Sequence, residues 1–313
     1  LSSQVGGDFA ATATTGDMIQ SGALTIKWAS ALTTLENNKT ITLDITEVSG
    51  TAVANEFTGA LTITTNDDDG GADADVTIDG GTTKLIIATS TIDGDLTIQT
   101  GNADDTSGIT DSGDVSVAGN LAVTNDVDNG DIDMGSLAVA GSIALATQGS
   151  GGNAAVTDDI DLNLAASTVG GTLGVTASAG DIIDSGQLTI TGAATFTAAA
   201  GQSIYLDNLD ASSVLFGIHT FSGAVTFATP SGSLLNVTVR DSTAFDFGAA
   251  LTLAQVSSAG GNLIVTSGGN VTQTGGALTI PGTPTISAAG STVTLSNSSN
   301  NFTGAVSIEA HTV

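Results

Sequence analysis

The densest chemistry in this chain is carboxylate. Of its 32 acidic residues, 16 are aspartates between Asp67 and Asp133. Twelve of these fall in "NDDDGGADADVTIDGG" (Asn66 to Gly81), "NADD" (Asn102 to Asp105) and "NDVDNGDID" (Asn125 to Asp133). Asp126, Asp128, Asp131 and Asp133, set around Gly130, have the residue types of a hard-cation site built from carboxylate and carbonyl oxygens, and calcium is the ion they suit. The competing reading is a solvated acidic face that keeps molecules from clumping. On the sequence both stand.

The surrounding pattern narrows the cation reading without settling it. An EF-hand is excluded, because Gly130 falls too early and no Glu closes the loop. "GGADADVTI" from Gly70 is similar to a calcium-binding nonapeptide, with Asp73 where Gly is expected, and it occurs once. Other chemistry is thinly provided. A glycoside hydrolase needs paired carboxylates in a sugar cleft, usually lined by aromatic rings, and the chain has one Trp and one Tyr. A polyuronate lyase needs a basic catalyst, and Arg240 is the only arginine. His219 and His311 are too few for a histidine metal site, and no Ser-His-Asp set stands out. With no cysteine, thiolate ligands, disulfides and cysteine nucleophiles are all absent.

The formal charge of −28, from 32 acids against Lys27, Lys39, Lys84 and Arg240, excludes nucleic acid and anionic membrane surfaces as partners. No run of about 20 apolar residues predicts a membrane span, so membrane insertion is not expected. The chain opens at Leu1 without a basic and then apolar leader, and a start other than Met suggests a processed or excerpted chain. Export follows as an expectation, to the extracellular space or cell surface of a prokaryote.

What must position these residues is a set of short strands. Hydrophobic residues make up 40% of the chain but aromatics only 4%, so the core is Ala, Val, Leu and Ile in thin layers. Forty-one Gly against three Pro indicate frequent tight turns. Fragments such as "ALTI", "DLTIQT" and "NLIVT" alternate apolar and polar residues, the period of a strand with one buried face. In "ALTI", Leu24 and Ile26 point inward and Thr25 outward. Gly-Asp and Ser-Gly pairs between strands are turn chemistry, with Gly supplying positive φ. "ASALTTLENNK" (Ala29 to Lys39) is the best helical candidate, but it is short, sits among strands and reads as a loop or excursion.

The strands belong to a repeat. "GGDFAATATTGDMIQSGALTI" from Gly6 and "GGTLGVTASAGDIIDSGQLTI" from Gly170 align without gaps, with 12 identities in 21 positions and an offset of 164 residues. A second phrase, "NEFTGALTI" from Asn55, returns as "HTFSGAVTF" from His219 at the same offset and as "NNFTGAVSI" from Asn300. Looser copies start at Gly94, Gly119 and Gly260. Their spacing approximates multiples of a unit of roughly 22–25 residues, the range of solenoid coils. A unit one coil long, not a hairpin pair, predicts an all-β parallel β-helix (β-solenoid), expected to be right-handed, in preference to a sandwich. The expected organisation is a single elongated solenoid over 1–313, in two related halves of about 1–164 and 165–313. About 13 coils would span on the order of 60 Å.

The stretch from Gly260 to Ile308, "GGNLIVTSGGNVTQTGGALTIPGTPTISAAGSTVTLSNSSNNFTGAVSI", resembles the repeats of bacterial surface proteins of the filamentous haemagglutinin type, and Gly170 to Phe227 is similar with an interruption around "LDASSVLFGIHT". The resemblance implies an exported β-solenoid stalk or autotransporter-like passenger domain serving adhesion or surface coating. The expected function is non-enzymatic: a subunit of a self-assembling filament or surface layer whose copies stack head to tail. The alternatives are an adhesin stalk, with cell-surface or matrix components as partners, and more remotely a polysaccharide-acting β-helix enzyme. No cofactor is required on this reading, with calcium the one candidate ion.

Overall fold

Alternating inward and outward side chains, repeated at one-coil spacing, build parallel strands stacked rung on rung. A computed structural model describes residues 3–45, 47–48, 51–52, 54–66, 70–102, 108–207, 219–256, 259–288 and 290–310. They contain strands and turns and no helix. The chain forms two compact units, Leu1–Asp158 and Asp159–Val313. Each is a parallel β-solenoid. Successive coils bring Leu121 opposite Ile143 in the first unit and Ile182 opposite Ile204 in the second, a step of 22 residues.

In the first unit one inward column runs Met18, Ile41, Val76, Leu96, Leu121, Ile143, each in register with the next. Beside it run Leu43, Ile78, Ile98, Val123 and Leu145, all essentially buried. The second unit repeats the arrangement with Leu162, Ile182, Ile204, Val237, Leu263 and Pro284. A facing sheet, represented by Leu173–Ala177, Ala194–Ala198 and Val225–Ala228, supplies Phe196 and Phe227, whose rings stack at 6.2 Å. Phe221, from a third short face, meets Phe196 edge-on at 5.9 Å. In-register stacking of like residues at about 4.8 Å fills the rest of the core, with Phe57, Phe245 and Phe247 as further buried rings.

Two short antiparallel hairpins leave this pattern, Glu47–Val48 with Thr51–Ala52 and Gln255–Val256 with Ala259–Gly260. One sequence expectation needs correction. Ser30–Thr34, inside the stretch expected to be a loop, is a full strand in register with Phe9–Ala13 and Leu61–Thr64. Ser30, Leu32 and Thr34 point inward, so alternation there is carried partly by hydroxyl residues. Polar inward positions hid the period.

Candidate functional site

The repeated phrase first acts through its aspartate. Asp17 Oδ1 accepts the N–H of Thr40 at 3.0 Å, and Asp181 Oδ1 accepts that of Ser203 at 2.6 Å. Equivalent rungs join Asp75 to Asp95 and Asn120 to Ser142 in the first unit, and Asp161 to Asp181 and Asn262 to Thr283 in the second. Each sits just before an inward-facing strand and turns one coil onto the next. The side-chain oxygen satisfies a backbone donor that the turn would otherwise leave open. The adjoining glycines serve different ends. Gly16 has φ +87°, as expected, whereas Gly180 does not lie in the left-handed region; a Cβ there would come within 2.6 Å of the Asp161 backbone. Close approach, not dihedral freedom, requires glycine at 180.

The four aspartates read as a cation site are divided among several tasks. Asp126 and Asp128 are exposed on the strand Leu121–Asp128, and Asp126 accepts a hydrogen bond from Gln99 Nε2 at 3.0 Å. Asp131 is largely buried and accepts the N–H of Asn153 at 2.7 Å. Asp133 is exposed on the following strand, Ile132–Val139. Among the described residues, no three His, Asp or Glu side chains gather in a group that could hold a metal ion. The turn between those strands holds Asn129 at φ +64°, and its side-chain oxygen accepts the N–H of Gly151 at 2.8 Å. Asp131 and Asn129 thus serve coil-to-coil backbone bonding. Asp67–Asp69, Asp104, Asp105 and His311 lie outside the described residues, as do residues 208–218 of the interruption.

The Asp79 carboxyl is clearly displaced. Burial raises it above the usual carboxylate range, the Gly81 N–H partly opposes this, and the charges of Asp126 and Asp44 add to it.

The second phrase positions a polar pair inside each of three coils. In the first, Gln20 and Asn55 exchange amide hydrogen bonds at 2.9 and 3.1 Å, and Asn55 Oδ1 also accepts the N–H of Leu24 at 3.0 Å. In the last, Gln273 and Asn300 do the same at 2.8 and 2.9 Å, with Leu278 N–H on Asn300 Oδ1 at 2.8 Å. The middle copy places Asp184 where the others have Gln and His219 where they have Asn. His219 Nδ1 accepts the N–H of Leu188 at 3.0 Å. That bond puts the ring proton on Nε2, which faces Asp184 Oδ2 at 3.5 Å. Both side chains are fully buried.

Further charges surround this pair. His219 bridges Asp241, the last residue of the strand Val237–Asp241. Burial pushes the Asp241 carboxyl up, against hydrogen bonds from the Thr243 N–H and hydroxyl. Asp207 is also raised, first by burial and then by the charge of Asp184, while Arg240 and His219 oppose the rise. The sequence reading passed over this group. Its signal was already in the aligned phrases, as the mismatches Gln20 against Asp184 and Asn55 against His219. A surface groove nearby, lined by Thr226, Phe227, Leu234, Leu251 and Thr252, carries no carboxylate or imidazole among its lining residues.

In-register parallel coils, polar corner rungs and one internal polar pair per repeat define a repeat protein of the β-solenoid class. The chain belongs to the family described as Repeats of unknown function (DUF5649), whose model matches residues 1–64, 151–232 and 234–309. Each matched segment contains one of the three polar pairs. No curated protein and no solved structure matches the chain.

Proposed function

We propose that this chain is a non-enzymatic structural protein of the prokaryotic cell surface or extracellular space, and that copies assemble by adding one solenoid edge to another. One observation carries the reading. Ile308 lies in register with the buried Ile286, in the core column of the second unit, yet it is 51% exposed. Among the described residues, its strand, Ser307–Ala310, pairs on one side only, with Pro284–Ala288. An apolar column whose outermost described strand is open on one side is a template for another parallel strand. In the first unit, Met18–Ile19 and Phe9–Ala13 likewise each pair on one side among the described residues. A head-to-tail contact between unlike edges is heterologous and grows into filaments unless a rotation closes it. The net charge of −28 opposes side-by-side association and leaves the edges as the favourable contact.

The resemblance of Gly260 to Ile308 to haemagglutinin-type repeats supports a surface role and also a second reading, an adhesin stalk. Favouring that reading, the hairpins at Glu47–Ala52 and Gln255–Gly260 stand outside the parallel coils and could offer contacts to a ligand. Electron microscopy and sedimentation of the purified chain at about 0.15 M salt, where surface charge is screened beyond about 8 Å, separate the two. Filaments that lengthen with concentration and are lost in Ile308→Asp support assembly. Discrete particles at every concentration overturn it in favour of the stalk.

A further inference from the structure

Three coils of this chain hold the same internal device, and only one of them can change its charge. The Gln20–Asn55 and Gln273–Asn300 pairs are amides, which donate and accept in both directions and do not titrate. The middle pair is a carboxylate and an imidazole. The groups facing His219 pull in opposite directions. Leu188 presents an N–H donor to Nδ1, so a proton on that nitrogen would convert a hydrogen bond into a donor facing a donor. Asp184 at 3.5 Å, the bridged Asp241 and the nearby Asp207 all favour a cationic ring, with Arg240 as the only opposing positive charge among them. The His219 backbone is fixed on both sides. Its N–H donates to the Arg240 carbonyl at 3.2 Å, and its carbonyl accepts from Ser242 N–H and Oγ, each at 2.8 Å. The side-chain bond to Leu188 is therefore the contact that gives way.

We propose that His219 is an acid-sensitive latch: a proton taken from solvent onto Nδ1 breaks the bond to Leu188, turns the imidazolium toward Asp184 and Asp241, and loosens the strand Leu188–Ile190. The first and last coils, held by Asn55 and Asn300, stay closed over the same range. Such a device gives one repeat a local opening response that the other two lack. It does not rest on the assembly reading above.

Hydrogen exchange of the full chain at pH 7.5 and pH 5.5, with rates corrected for the intrinsic effect of pH, tests the latch. Exchange at Leu188–Ile190 is expected to rise severalfold from pH 7.5 to pH 5.5. Leu24 and Leu278 in the same molecule should not respond. The double variant D184Q/H219N installs the amide pair of the other coils and should abolish the response. H219N alone keeps Asp184, Asp207 and Asp241 and should also be flat. A response that survives in H219N assigns the effect to the carboxylates and overturns the proposal, as does an equal response at all three leucines. If the variants fail to fold, the ring nitrogen shifts of His219 in the wild type decide: Nδ1 must gain a proton as exchange at Leu188 rises, and an Nδ1 that stays unprotonated overturns the latch.

Discussion

Asp95 accepts the backbone N–H of Asn120 through Oδ1 at 2.6 Å, joining two residues that lie one coil apart. The same oxygen also meets Asn120 Nδ2 at 3.1 Å. Aspartate here is a structural acceptor, and its charge is incidental. Asp95→Ala should therefore destabilise the first unit by about 1–2 kcal/mol, because a backbone donor loses its partner. Asp95→Asn keeps the carbonyl oxygen and should stay within about 0.5 kcal/mol of wild type. Urea denaturation, with exchange at Asn120 as the local probe, distinguishes the two; equal losses in both variants would show that charge matters after all.

Gly180 and Gly7 make a matched pair for a second prediction. A Cβ at 180 would enter the Asp161 backbone, whereas nothing lies within 4 Å of one at 7. Gly180→Ala should cost about 1–3 kcal/mol, the range for forcing extra volume into a packed site, while Gly7→Ala should be close to neutral. The shift in urea midpoint measures both.

The raised carboxyl of Asp241 predicts a pH dependence with a definite sign. Because burial holds the folded-state carboxyl above its ordinary range, Asp241 favours folding most at low pH, and this contribution is lost as pH rises through the raised value. Asp241→Asn retains an oxygen for the Thr243 N–H, which now lies 2.9 Å from Oδ1, and removes the buried charge. The variant should gain stability relative to wild type between pH 4 and pH 7, by about 1.4 kcal/mol for every pH unit through which burial has lifted the carboxyl. Parallel denaturation curves across that range test it; a difference independent of pH would count against burial as the cause.

For the acidic stretch, the division of labour among its aspartates predicts no cation requirement. Calcium should change the melting temperature no more than another salt at matched ionic strength. Asp131→Ala should lose about 1–2 kcal/mol through the Asn153 N–H. Asp126→Asn, Asp128→Asn and Asp133→Asn should be neutral or slightly stabilising at low salt, with the difference fading as salt rises. A calcium-specific rise that disappears in Asp126→Asn and Asp128→Asn would establish a cation site there.

Much of the fold could be read from the chain because a solenoid writes its tertiary contacts as sequence periodicity. "LTI" at Leu188–Ile190 shows the alternation because it stacks in register between Ser167–Val169 and Thr220–Phe221, with Ile190 turned inward between Val169 and Phe221. Ser30–Thr34 was missed where inward hydroxyls blurred the alternation, and Gly180 was assigned to the wrong cause because a neighbouring coil cannot be seen locally. The aspartates around Gly130 carry residue types shared by ion sites and corner rungs alike, and Asp131 is placed in a rung, on the Asn153 N–H. Only the partner across the coil tells the two apart.

The sequence by itself determined the strand period, the apolar columns and the two phrases repeated 164 residues apart, since all of these follow from local alternation and self-similarity. Tertiary structure alone decided that Asp184 and His219, 35 residues apart, share one buried site with a backbone N–H between them and the next strand. The physical reason is burial. In water the exchange of Gln and Asn for Asp and His is a minor change of side chain. Between stacked coils it replaces an amide pair with a buried carboxylate and imidazole, and the imidazole holds the Leu188 N–H through Nδ1.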